Sequence, residues 1–137
     1  MAKQYNKYSK NNQEAFDKLT GIDGTIPPQA IELEQAVLGA LMLERDAIID
    51  VQEYVKAETF YLEEHRTIFK AIQALSFEMK AIDLYTVTER LKSQKELQKV
   101  GGAAYLAELT QKVASAAHIE FHAKIIAQKY VQRELIR

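Results

Sequence analysis

VGGAAYLAELTQKVASAAHIEFHAKIIAQKYVQRELIR, residues 100–137, decides the fold. Gly101 and Gly102 break the preceding pattern, and two runs of helical spacing follow, so the stretch reads as a helical hairpin. In the first arm Leu106, Leu109 and Val113 form one apolar stripe at i, i+3, i+7. The second arm, for which Ser115 is the expected cap, differs. At about 100° per residue, Ile119, Ala123, Ile126 and Tyr130 fall on one side, while Phe121, Ile125 and Ile136 form a second stripe well around the cylinder. One partner helix cannot cover both. The second stripe must be buried against the rest of the domain or against another chain.

Upstream, the spacing predicts about four further helices and no strand. Ile26-Pro27-Pro28 is a stiff lead-in that places the start of the first helix at the prolines, and Leu33, Val37, Leu38 and Leu41 supply its buried stripe. Gly39 inside that helix costs about 1 kcal/mol relative to Ala unless it permits a close helix approach. Glu32 and Glu34 in the first turns are accounted for by the helix dipole, without chemistry. Asp46 is the expected cap of a second helix with Ile48, Val51 and Val55 facing inward, ending near Lys56. Phe60 and Tyr61 then plug the core from a loop. A third helix over 63–77 carries His65, Ile68, Phe69, Ile72 and Leu75 on one broad face, with His65 read as a partly buried side chain with a hydrogen-bond partner. Asp83 starts a fourth, with Leu84, Val87 and Leu91 inward, and the polar 94–99 makes a short extra turn.

A chain of 137 residues with 47% hydrophobic content is sized for one domain with a single core. It contains no cysteine, which excludes disulfides and thiolate zinc sites and suits a reducing cytoplasm. The longest apolar run, 36–43, is far too short to span a bilayer, and the N-terminus has no apolar signal core. The net charge of −1 hides an asymmetry. Residues 1–25 carry four Lys against three acids, residues 26–91 six basic against twelve acidic, and residues 92–137 eight basic against four acidic. An acidic body joined to a basic hairpin suits subunit pairing, a weakly anionic partner, or simply the solvated faces of ordinary helices. Residues 1–25 read as a disordered tail, in which Lys3, Tyr5, Lys7, Tyr8 and Lys10 have the composition to stack on and neutralise single-stranded nucleic acid.

Catalytic chemistry is not written in this chain. None of the five glycines is followed by lysine, so there is no GxxxxGK[ST] loop to cradle nucleotide phosphates, and no ATP hydrolysis is expected. His118 and His122 at i, i+4 with Glu120 between them resemble a metal pair, but a zincin places its Glu next to the first His. Two solvent-facing or interface histidines are the simpler reading, and no catalytic, cofactor or metal residue is assigned.

Five segments now stand in order: IPPQAIELEQAVLGALML (26–43), FYLEEHRTIFKAI (60–72), IDLYTVTERLK (82–92), VGGAAYLAEL (100–109) and SAAHIEFHAKIIAQKYVQRELI (115–136). In order and spacing they resemble the N-terminal domain of DnaB-type bacterial replicative DNA helicases, over residues 26–137. The resemblance implies an all-α fold, with a globular head of about four helices over 26–99 followed by a helical hairpin over 100–137. It further implies hairpins pairing between subunits, as a dimer or as a trimer of dimers in a hexamer, six such domains forming a collar above a ring of ATPase motors, and primase docking on that collar. A helicase loader is a further implied partner, in the cytoplasm at the nucleoid-associated replisome. The subunit contact then falls on Leu106, Leu109, Ile119, Phe121, Ile125, Ile126 and Tyr130, and primase docking on Tyr105 and Ile136. The chain departs from the family pattern at Ala114, where many members carry proline, and at His118, where Asn is common. QKYVQRELIR stops inside a helical pattern without Gly, Asn or Pro, so the chain is expected to be truncated before a linker and a RecA-like ATPase domain that would hold ATP and Mg and grip DNA. A second class of function also fits, a free-standing helical module that binds nucleic acid through the basic hairpin and the Lys/Tyr tail. Steeply salt-dependent DNA binding would mark that module, and self-association with little DNA affinity would mark the collar domain.

Overall fold

The structure, a computed structural model, describes residues 27–113 and 118–136. Among these residues there are six α-helices and no strand: α1 (Ile31–Leu43), α2 (Ala47–Val51), α3 (Glu63–Phe77), α4 (Leu84–Ser93), α5 (Gly102–Gln111) and α6 (Ile119–Ile136), with a 3-10 turn at Ala57–Thr59. The N-terminal Lys/Tyr tail, the Ser115 cap and the Ala114 substitution lie outside the described residues.

The hub is α1. Val37, Leu38, Ala40, Leu41 and Met42 are all buried, so its apolar residues go all the way round and α3, α5 and α6 pack against it. Gly39 sits where α5 crosses. A Cβ there would lie 2.0 Å from the Leu109 carbonyl oxygen and 2.7 Å from Val113 Cγ2, so the missing side chain is what lets the two backbones meet. The helix begins at Ile31 and not at the prolines, with Ala30 at the N-cap and no side-chain cap. Asp46 does precede α2 but makes no side-chain cap bond, and α2 ends at Val51 with turns beyond it.

The stops of α3 and α4 are closed by residues other than glycine. Met79 and Lys95 take left-handed φ values of 58° and 60°, and the amides of Lys80 and Glu96 reach back to the Leu75 and Leu91 carbonyls at 2.9 Å. Asp83 caps α4 as expected, its Oδ1 accepting from the Thr86 amide at 2.8 Å. Gly101 and Gly102, at φ 112° and 77°, make the left-handed turn into α5 that side chains rarely adopt.

One continuous core runs through Phe60, Ile68, Phe69, Ile72, Val87 and Leu91 and on into Leu106, Leu109, Ile119, Ala123 and Ile126. The core therefore has no break at residue 99. Both arms of the hairpin, α5 and α6, lie against α1. Phe60 plugs this core against Phe69 with ring centroids 5.0 Å apart, whereas Tyr61 is half-buried.

Candidate subunit-contact surface

Helix α6 carries two stripes of the same spacing on nearly opposite sides. Ile119, Ala123, Ile126, Tyr130 and Arg133 face the head, and the first three are buried there. Phe121, Ile125, Gln128, Gln132 and Leu135 follow steps of 4, 3, 4 and 3, the spacing that seats one helix against another in a coiled coil. On this outer face Phe121 is 63% exposed and Leu135 is 81% exposed, with Ile136 beside them also exposed and Ile125 half-buried. Val131 is exposed on the flank. Water is an unfavourable neighbour for Phe121, Leu135 and Ile136, with the polar Gln128 and Gln132 between them.

The residues to which the resemblance gives the subunit contact are thus divided. Leu106, Leu109, Ile119 and Ile126 are buried in the chain's own core, which accounts for them without a second subunit. Phe121, Ile125 and Tyr130 keep exposed surface, and of these Phe121 and Ile125 lie on the outer face. The two docking residues are divided as well. Ile136 is exposed, while Tyr105 is half-buried and its hydroxyl is engaged inside the chain.

That engagement belongs to a polar network of which sequence reasoning anticipated only a hydrogen-bonded His65, here fully buried. Glu34 is 1% exposed and His65 is 0% exposed, so neither is a surface group. Glu34 Oε1 lies 2.7 Å from His65 Nδ1, its Oε2 accepts from the Tyr61 amide at 2.8 Å, and His65 Nε2 lies 2.6 Å from the Tyr105 hydroxyl. With the hydrogen on Nδ1, His65 donates to Glu34 and accepts from Tyr105, whose oxygen accepts from Gln35 Nε2 at 3.3 Å; every group is then satisfied. The imidazole also stacks on the Tyr105 ring, 6.0 Å between centroids and 7° between planes. The dipole alone therefore does not explain Glu34; it joins α1, α3 and α5. Its signal was in the spacing, because Glu34 stands at i to Val37, Leu38 and Leu41 at i+3, i+4 and i+7, on the buried stripe itself.

Arginines bind the loop before α3. Arg66 donates from Nε to the Phe60 carbonyl at 2.9 Å and from Nη2 to that of Tyr61 at 2.8 Å. Arg133 donates from Nη1 to the Pro28 carbonyl and from Nη2 to that of Thr59, both at 2.8 Å, and lies 5.3 Å from the Tyr61 ring and 5.7 Å from the Tyr130 ring. Burial pulls its pKa below the ordinary guanidinium value, with the Glu34 carboxylate opposing that shift. At the other end of α6, the Tyr54 hydroxyl donates to Glu120 Oε1 at 2.7 Å and Lys124 sits 5.2 Å over the Tyr54 ring. The bond to Glu120 is the main reason that the Tyr54 pKa is raised.

The His118 and His122 rings are 6.3 Å apart, tilted by 47°, and no group of three or more His, Cys, Asp or Glu side chains suited to a metal occurs among the described residues. No helix among them is long and apolar enough to cross a membrane.

Fold and surface together define an all-helical domain with one continuous core, whose helix α6 keeps Phe121 and Leu135 exposed on the side away from that core. Residues 26–128 match the family model described as "DnaB-like helicase N terminal domain", and the chain belongs to that family. It is 50% identical over 110 residues to the replicative DNA helicase DnaB of Rhodothermus marinus, an alignment covering 80% of this chain and 12% of that protein. Among solved structures it resembles the crystal structure of the N-terminal domain of DnaB helicase from Mycobacterium tuberculosis, with a TM-score of 0.79, 37% identity and 80% of each chain covered. It also resembles the structure of a DnaB-like replicative helicase studied with its interactions with primase, with a TM-score of 0.68, 28% identity, and 78% of this chain and 25% of that one covered. The chain thus spans a small part of the full-length proteins that it matches.

Proposed function

We propose that this domain is the N-terminal collar element of a hexameric replicative DNA helicase, which pairs subunits through the outer face of α6 and offers the paired surface to primase. The observation that carries the reading is the row Phe121, Ile125, Gln128, Gln132 and Leu135, heptad-spaced and opposite the stripe that the head already covers. Pairing two such faces gives the dimer from which a trimer of dimers is built, placed in the cytoplasm at the replisome with a loader as a further partner. In this reading the DNA-gripping and ATP-hydrolysing parts, with ATP and Mg, belong to a motor that follows the collar in the full-length protein. Of the two docking residues, Ile136 takes the role, because Tyr105 is held by His65 and Gln35.

The nucleic-acid-binding alternative is weakened by where positive charge is spent. Lys112 lies 3.8 Å from Glu108, Lys124 lies 3.7 Å from Glu120, and Arg133 is turned into the head. Two titrations separate the readings. Labelled single-stranded DNA should show little binding to this chain at physiological salt. The C-terminal domain of the cognate primase, titrated into the full-length helicase, should lose affinity on Ile136→Ala by about 2 kcal/mol if Ile136 is an anchor. Tight DNA binding that falls steeply with salt, with primase affinity unchanged, would overturn the proposal.

A further inference from the structure

Two histidine rings at the start of α6 lie side by side without being used to hold the fold. His118 is the residue just before α6 and is exposed, His122 stands four positions on and is half-buried, and their ring centroids are 6.3 Å apart with the planes tilted by 47°. This is the placement of i and i+4 on one helix face. Among the described residues neither ring takes part in a hydrogen bond or an ion pair, and His122 otherwise meets only the ring of Phe121, at 6.3 Å. Glu120 between them is turned away, its Oε1 accepting from the Tyr54 hydroxyl at 2.7 Å and lying 3.7 Å from Lys124. The third histidine of the chain, His65, is fully buried and held by Glu34 and Tyr105. Uncommitted imidazole nitrogens are therefore gathered at this one place.

We infer that His118 and His122 form a two-histidine site for a late first-row divalent ion, Zn2+, Ni2+ or Cu2+, whose remaining positions are taken by water, and that the bound ion staples the first turn of α6. Imidazole suits these ions, whereas Mg2+ and Ca2+ call for oxygen donors. A tetrahedral ion with nitrogens about 2.1 Å away holds two ring centroids about 5 Å apart, so the observed 6.3 Å has to close by about 1 Å, a small rotation of two side chains that nothing else holds. With two protein donors the site is an open chelate, and with Glu120 engaged elsewhere it has no general base beside it, so it binds without catalysing. Once one imidazole holds the ion, the second meets it at high effective concentration, and the pair binds far more tightly than either ring alone. The ion then joins residue 118 to residue 122 in their helical arrangement and stabilises the start of the helix whose outer face is proposed for pairing. The site belongs to a single chain and does not rest on that pairing.

Calorimetric titration of Zn2+ into the whole chain, free of added histidines, tests the site at a concentration where light scattering finds monomer. One ion per chain is expected, with the ring protons of His118 and His122 shifting together in NMR spectra and those of His65 unmoved. His118→Asn, which keeps a side chain able to cap α6, and His122→Gln should each weaken binding at least about tenfold, with wild-type helicity by circular dichroism. Amide exchange over residues 119–123 should slow on addition of Zn2+ to the wild type and stay unchanged in both variants. Mg2+ at the same concentration should produce none of these effects. Equally tight binding in either variant would mean two independent surface imidazoles and would overturn the site. Zn2+ binding that shifts neither His118 nor His122 would be an adventitious ion only and would overturn it equally.

Discussion

Helices α1 and α6 both carry more apolar residues than one partner can cover, and the chain treats them differently. Around α1 the surplus is answered within the chain, with α3, α5 and α6 on its sides and Gly39 letting α5 come into backbone contact. Around α6 the stripe at Ile119, Ala123 and Ile126 is answered, while Phe121, Gln128 and Leu135 of the outer row are left facing water and Ile125 and Gln132 are half-buried. The two helices thus have different purposes, one building the core and the other both closing it and presenting a surface. The far more polar composition of α6 fits that difference, and what is packed on each side completes it.

The inner side of α6 is where the comparison breaks most severely. Ile126→Ala removes buried methylenes from the stripe of α6 that the core covers, and should cost about 3 kcal/mol in chemical denaturation with an unchanged m-value. Loss of less than about 1 kcal/mol would mean that α6 is not part of the head.

A polar change at α1 comes next. Glu34→Gln keeps the shape but turns one carboxylate oxygen into an NH2 group, which cannot accept from both the Tyr61 amide and His65. Either a donor facing residue 34 loses its acceptor, or the His65 hydrogen moves to Nε2 and the Tyr105 hydroxyl loses its own, and about 2 kcal/mol should be lost. A neutral result would show that the network fills space without binding α1 to α3.

The smallest effect belongs to the surface between α3 and α4, where Arg90 reaches both carboxylate oxygens of Glu78 at 2.7 Å and Lys80 approaches at 3.1 Å. The bond to Arg90 first, and then that to Lys80, holds the Glu78 pKa at about 2, below its ordinary 4.5. Because the folded-state value is the lower one, the pair's contribution is complete above about 4.5 and disappears as pH falls through that range toward 2. An NMR titration should find the Glu78 midpoint near 2, returning toward the usual range in Arg90→Ala. An ordinary midpoint in the wild type would reduce the bridge to a transient solvent-exposed pair.

What the sequence made legible followed the range of the interactions. The span of α3 and the Asp83 cap were readable because periodicity and capping act within a few residues. The start of α1 was displaced from the prolines to Ile31. The Glu34, His65 and Tyr105 network joins residues 31 and 40 positions apart, so only the placement of Glu34 and His65 on the buried stripes of their helices hinted at it. The two stripes of α6 were visible by arithmetic, but which one the head covers depends on where α1 passes, and no local rule contains that.

Oligomeric mass over a concentration series tests the central claim most directly. By size-exclusion chromatography with light scattering, the account predicts that the wild type gains mass with concentration. Ile125→Asp, a charge placed in the middle of the outer face, should stay monomeric with wild-type helicity and stability within about 0.5 kcal/mol of the parent. An Ile125→Asp chain that keeps both the wild-type mass and the wild-type fold would contradict the assignment of this face to the subunit contact.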